Sequence, residues 1–321
     1  MVNIFIIGAT GYIGQSLCQS LVRSGDHRVY GLARTAEKAR SLEKEEIIPV
    51  LGSISDHAEL LKAIEEYSIS VIVDVAGADK ESHSLLAEIK KIGARRLENA
   101  ANDGVPAPKL GFIYCSGTWV HGSSNVAVDD LTPVDAPGAP NPPAQLTLWR
   151  PKLEREVLAA SDILDVMVIR PALVYGRAHA IWSMYWGPIY AATQAGARSV
   201  TIAAEPDSRP GLIHVDDVAS GFHAAIEKLP MISGTGVYSV FDLVTSQESM
   251  RDIMDFAAKE FGFKGKVELV GAGDDLFAQA MNTSFNGNSG RAKQILGWTP
   301  RRVGFVQGMD VFARSFVAVR L

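Results

Sequence analysis

Through the first half of the chain, apolar residues fall in short runs separated by amphipathic stretches. Val2–Ile7 is an apolar run, broken only by Asn3, that stops at Gly8, as a buried strand would. Ile13, Leu17 and Leu21 then recur every four residues and mark one face of a helix. Arg28–Ala33, Ile47–Leu51, Ser70–Val75, Lys109–Cys115 and Asp165–Ile169 repeat the strand pattern. Asp56 with Glu59 forms a capping box for a helix over 57–66. A long helix is expected near 81–103, and Leu148, Leu153 and Val157 mark another. The stretch 131–143 carries five prolines, which neither a helix nor a central strand accommodates, so it reads as a surface loop. Beyond Pro171 the rhythm loosens. Helices are expected near Asp216 and Glu248, with short helical pieces over 290–321. Such strand–helix alternation implies an α/β protein whose parallel sheet is covered by helices on both faces.

The first turn carries chemistry. Gly8-Ala9-Thr10-Gly11-Tyr12-Ile13-Gly14 sets a G-x-x-G-x-x-G pattern between the first strand and the first helix. The first glycine permits a tight turn, the second lets backbone approach a pyrophosphate, and the third allows close helix–sheet contact. The helix N-terminus stabilises the phosphates. The second strand ends Gly31-Leu32-Ala33-Arg34. NAD sites usually carry an acid here for the ribose 2′-hydroxyl, whereas an arginine with no adjacent acid suits a 2′-phosphate. The expected cofactor is NADP(H).

Composition narrows the picture. Of 321 residues, 47% are hydrophobic and 21% charged, with a net charge of -5. This is ordinary for a globular chain and argues against nucleic-acid or anionic-membrane partners. No apolar run approaches the roughly 18 residues of a membrane span. A cytoplasmic location is expected. Cys18 and Cys115 fall inside predicted elements and read as buried thiols rather than metal ligands. His214, Asp216 and Asp217 read better as a strand end followed by an Asp-capped helix than as a metal site, and no metal is expected.

Taken in order, these and further marks resemble the extended short-chain dehydrogenase/reductase superfamily, in its epimerase/dehydratase group. They are Gly8–Gly14, Asp74-Val75-Ala76-Gly77, Tyr114-Cys115-Ser116-Gly117, Arg170-Pro171-Ala172-Leu173-Val174-Tyr175-Gly176, Ile213-His214-Val215-Asp216-Asp217, Arg291-Ala292-Lys293 and Leu296-Gly297-Trp298-Thr299-Pro300. The resemblance implies a doubly wound Rossmann sheet over 1–175 and a smaller, interleaved substrate lobe mainly over 176–321, with segments near 211–243 returning to the first domain. It places Ser53 and Ile54 beside the adenine, Ala76 and Gly77 under the ribose and phosphates, and Pro171 to Val174 at the nicotinamide end. Relatives often pair the helices near 81–103 and 147–160, which implies a homodimer.

The chain departs from the family at its catalytic pair, Tyr-x-x-x-Lys. Lys152 matches the lysine, but the tyrosine position is Leu148. Lys152 is also read as half of a solvated pair with Glu156. Ser116 or Thr118 is a candidate for the family's hydroxyl, or either caps the loop. His121 and Tyr175 are further candidate proton donors, or structural residues. Trp182, Tyr185 and Trp186 suggest an apolar or aromatic substrate, or an aromatic core. The expected activity is an NADPH-dependent reductase acting on a small, fairly apolar carbonyl compound with a non-tyrosine proton donor. The alternatives are a non-redox isomerase, cyclase or lyase on the same scaffold, and a non-enzymatic NADP(H) sensor.

Overall fold

The computed structural model describes residues 1–321 apart from His179, Val303 and Leu321. Its strands are β1 (Val2–Ile7), β2 (His27–Ala33), β3 (Ile48–Leu51), β4 (Val71–Asp74), β5 (Leu110–Cys115), β6 (Ser124–Val128), β7 (Leu164–Pro171), β8 (Leu173–Tyr175), β9 (Ser199–Ile202), β10 (Gly211–His214), β11 (Val240–Leu243), β12 (Ser246–Gln247), β13 (Lys266–Leu269) and β14 (Phe285–Gly287). Its α-helices are α1 (Tyr12–Ser24), α2 (Ala36–Glu43), α3 (Ala58–Glu66), α4 (Lys80–Asn102), α5 (Arg150–Leu158), α6 (Ser183–Gln194), α7 (Val215–Ile232), α8 (Met250–Glu260), α9 (Leu276–Met281), α10 (Gly290–Ile295) and α11 (Met309–Ala318).

Seven parallel strands form the main sheet in the order β11-β7-β5-β4-β1-β2-β3. The chain runs outward from β1 to β3, then crosses back to β4 on the other side of β1. That reversal opens a crevice at the carboxyl ends of β1 and β4, where open α/β sheets bind ligands. Side chains alternate across the sheet. Ile4 and Ile6 pack with Leu17, Leu21, Leu42, Phe222 and Leu229 under α1, α2 and α7. Phe5 and Ile7 pack with Leu60, Ile64, Leu85, Ile89, Leu153 and Val157 under α3, α4 and α5. The fold is the doubly wound Rossmann type.

The segment 211–243 divides between the two layers. β11 is the seventh main-sheet strand and α7 packs on α1. β10 instead joins β8 and β12 in a second sheet. A separate apolar cluster holds this lobe together, built on Tyr175, Trp182, Tyr185, Trp186, Met254, Phe305 and Phe316. The three aromatics suspected of facing substrate are thus core residues. Helix α2 was not foreseen. Only Ala39 and Leu42 of it are buried, too few to set a visible period, and its N-terminus is capped by Thr35, whose Oγ1 accepts from the Lys38 backbone N–H at 3.2 Å.

Leu85, Leu86, Ile89 and Ile92 of α4, and Leu153 and Val157 of α5, are buried within the chain. Both cysteines are buried and free, and burial pushes each thiol up to about 12. No helix of the described residues is long and apolar enough to cross a membrane.

Candidate functional site

Two clefts meet around the N-terminus of α1. The first is lined by Gly8, Thr10, Gly11, Arg34, Lys38, Ser53, Ile54, Ala76, Ala78 and Glu81, among others. Its floor is the glycine turn. Gly8 adopts φ +89°, a conformation that disfavours side chains, and its carbonyl accepts from the Gly11 N–H at 2.9 Å. A Cβ on Gly14 would lie 2.0 Å from the Gly8 oxygen, so that position is held to glycine by helix–strand contact. Gly11 is different. Its φ of -85° suits any residue, and an added Cβ would meet only the Gly8 oxygen at 3.1 Å. What Gly11 supplies is a turn with no side chain above it. Among the described residues no side chain caps α1, and its first turn holds no acid, so its leading N–H groups remain available to an anion.

Arg34 lines this cleft beside a second cation, Lys38, in the first turn of α2. Neither makes an ion pair among the described residues. Lys38 was not foreseen because its helix was not. Ala76 is held by Asp74, whose buried carboxylate accepts from the Ala76 N–H at 3.0 Å and from Ser82 Oγ at 2.7 Å. Burial raises the Asp74 pKa, against the pull of these two hydrogen bonds.

The second cleft is lined by Ile13, Ser116, Gly117, Thr118, Trp119, Thr147, Arg150, Pro171, Ala172, Leu173, Val174 and Ile181. Its cavity volume is about 120 Å³. Gly77 stands at the junction of the two clefts. Its neighbours line the first, and a Cβ on it would lie 3.8 Å from Arg150 Nη2. Ser116 follows the last residue of β5. Its Oγ is buried and has no hydrogen-bond partner among the described residues. Thr118 opens a short 3-10 turn, and Thr147 ends another. Both are buried.

Arg150 is the charged group of this cleft. Its Nη1 donates to the Cys115 carbonyl at 3.0 Å and approaches Tyr114 Oη at 3.4 Å, while the guanidinium stacks on Trp149 at 4.7 Å. Burial holds the Tyr114 phenol above its ordinary value, so that group stays protonated.

Three expected catalytic positions lie elsewhere. Lys152 is 71% exposed and faces Glu156 at 3.9 Å, on a surface with Asp79, His83 and Trp149. Leu148 is exposed as well, so the chain turns Thr147 and Arg150 inward instead of Leu148 and Lys152. His121 is buried behind the cleft. Its Nε2 lies 2.9 Å from Asp242, inside a network in which Arg170 binds Glu154 through two hydrogen bonds of 3.0 and 2.5 Å. Tyr175 is fully buried, stacked on Phe305 at 4.2 Å, and donates to the Arg302 carbonyl at 3.3 Å. Tyr12, expected at the cofactor, donates to the Gly176 carbonyl at 2.5 Å and ties α1 to the end of β8. The His214 group is also used structurally. His214 itself caps α7, with Nδ1 accepting from the Asp216 N–H at 3.1 Å, so the cap is histidine and not aspartate. Asp216 pairs with Arg177 at 2.6 Å, and Asp217 accepts from the Arg301 and Arg302 N–H groups at 2.7 and 2.8 Å.

Residues 4–240 match the model of the NAD dependent epimerase/dehydratase family. The chain belongs to that family. A decarboxylating sterol-4-alpha-carboxylate 3-dehydrogenase from Dictyostelium discoideum is 23% identical over 97% of this chain and 99% of its own length. A phenylcoumaran benzylic ether reductase from Ginkgo biloba is 36% identical, but over only 28% of this chain and 32% of its own. Among solved structures, dTDP-glucose 4,6-dehydratase from Bacillus anthracis, in complex with NAD, superposes with a TM-score of 0.72 at 17% identity, covering 99% of this chain and 97% of that one. UDP-glucuronic acid 4-epimerase from Bacillus cereus, in complex with UDP-glucuronic acid and NAD, gives 0.70 at 17% identity, covering 99% and 100%. At these identities the two structures speak for the fold of this epimerase/dehydratase member.

Proposed function

We propose that this protein is an NADP(H)-dependent oxidoreductase that reduces a small, fairly apolar carbonyl compound. The observation that carries the reading is the second cleft: an apolar pocket holding three hydroxyl groups and one guanidinium, reached from the glycine turn through Ile13 and Gly77. The family and the dehydrogenase and reductase relatives support a pyridine nucleotide. The residues present fit one. The uncapped start of α1 and the open face of Gly11 suit a pyrophosphate, and Arg34 with Lys38 suits a 2′-phosphate.

Bound nicotinamide supplies a hydride. The chain's own task is to place the carbonyl and provide a proton. Ser116 and Thr118 remain candidates for a hydroxyl that donates directly or through water, and Thr147 joins them. Arg150 holds positive charge where negative charge develops on the substrate oxygen, and its bond to the Cys115 carbonyl keeps it in place. The walls of Trp119, Leu173, Val174 and Ile181 exclude water and select apolar substrates.

The test uses NADPH deuterated at C4, offered as each diastereomer with a panel of aryl and alkyl ketones and aldehydes. Deuterium on the carbinol carbon from one diastereomer supports the proposal. Cofactor-independent turnover of substrate, with no deuterium transferred, contradicts it and assigns a non-redox isomerase, cyclase or lyase.

A further inference from the structure

At the opposite end of β2 from the nucleotide cleft, three side chains of metal-ligand type converge. His27 is the first residue of β2, and His223 and Glu227 stand one turn apart on α7. One donor atom from each lies within 4.8 Å of the other two. We propose that His27, His223 and Glu227 form a divalent-metal site with a preference for Zn²⁺, which clamps the start of β2 to α7.

The arrangement around these groups favours a ligand over a simple packing contact. Both ring nitrogens of His27 are buried and have no hydrogen-bond partner among the described residues, an unusual state for an imidazole. The two rings meet edge to face with centroids 5.5 Å apart, so they do not satisfy one another by hydrogen bonding. His223 is oriented from behind. Its Nδ1 lies 3.0 Å from Ser20 Oγ on α1, which directs Nε2 toward Glu227 Oε1 at 3.5 Å. Partners on the far nitrogen of this kind fix the tautomer and ring angle of metal-binding histidines. Glu227 on α7 and Asp26, next to His27 in the chain, supply negative charge beside the His27 ring.

Two imidazoles and one carboxylate suit a borderline divalent ion such as Zn²⁺, with water completing a tetrahedron. Ligand atoms of such a tetrahedron stand about 3.4 Å apart, so the site must tighten slightly. Glu227, 51% exposed, is free to swing inward. The seven residues of β2 span about 20 Å, which separates this site from Arg34 and assigns it no part in the reaction. Its effect is mechanical, because α7 lies against α1 and β2 neighbours β1 in the sheet.

Calorimetric titration of ZnCl2 into the tag-free full chain tests the proposal. One equivalent is expected to bind at micromolar metal and to raise the melting temperature. His27→Gln and His223→Gln each weaken binding by about tenfold or more, and Glu227→Gln weakens it less, while nucleotide binding by all three variants stays as in the wild type and certifies the fold. Absence of saturable binding in the wild type overturns the proposal. So does equal Zn²⁺ affinity in the wild type and the two histidine variants, which places the ion elsewhere. Should one histidine variant fail to fold, the other and the exposed Glu227→Gln still decide the outcome.

Discussion

The Arg150 guanidinium is anchored on the Cys115 carbonyl, with Nη1 3.0 Å from the oxygen. This contact fixes a cation at the carboxyl end of β5, one residue from the buried Ser116 hydroxyl, which has no partner among the described residues. It also separates the roles of two cations on α5, since Lys152 points away into solvent. Arg150→Met is expected to lower kcat/KM for the reduced substrate by about 10²-fold, the usual effect of removing one donor to a developing oxyanion. Arg150→Lys should recover part of that loss. Lys152→Met should change kcat/KM by less than about twofold, since exposed ion pairs contribute little. Steady-state kinetics on the three variants checks this, and a Lys152 variant as impaired as the Arg150 variants would reverse the assignment.

Gly11 and Gly14 should fail in different ways. Gly11 has ordinary backbone angles and a single close neighbour, the Gly8 oxygen at 3.1 Å, so Gly11→Val is expected to fold with a modestly lowered melting temperature and to lose nucleotide binding. Gly14→Ala places a methyl group 2.0 Å from the Gly8 oxygen and is expected to destabilise the fold itself. Thermal melts with and without nucleotide read both outcomes.

Much of the nucleotide cleft was legible in the sequence, and the reason is local. Gly8, Thr10, Gly11, Arg34, Ser53, Ile54 and Ala76 all follow or end strands whose apolar runs are unmistakable, and parallel strands deliver their ends to one edge. Lys38 was hidden because α2 buries only two side chains. The register of α5 was hidden for another reason. The chain enters it through a 3-10 turn at Gln145–Thr147, and Pro151 sits in the first turn of the helix, so a 3.6-residue period carried back from Leu153 and Val157 misplaces what precedes them. The network that holds His121 was hidden because its partners are distant in sequence. Asp242 arrives on the seventh strand of the sheet, and Arg170 with Glu154 completes the network from β7 and α5. A local pattern carries no sign of such a network.

His214 gives a pH signature. Burial depresses its folded pKa to about 4, below its ordinary value of 6.5. Between these values the unfolded chain binds the proton and the folded chain does not, so stability from this group rises with pH from about 4 to about 6.5 and is lost on acidification. His214→Asn keeps a capping side chain but removes the titration. The stability advantage of wild type over this variant should therefore shrink as pH falls from 6.5 toward 4. Urea denaturation across that range measures it, and a constant difference would contradict the assignment.

The most direct test of the account is a parallel titration of NADPH and NADH into the wild type, Arg34→Ala and Lys38→Ala. The wild type should bind NADPH more tightly, and each variant should lose NADPH affinity by about ten- to a hundredfold, the worth of one charge-assisted contact, with NADH affinity nearly unchanged. Failure of the wild type to bind either nucleotide, or equal weakening of both in the variants, would contradict it.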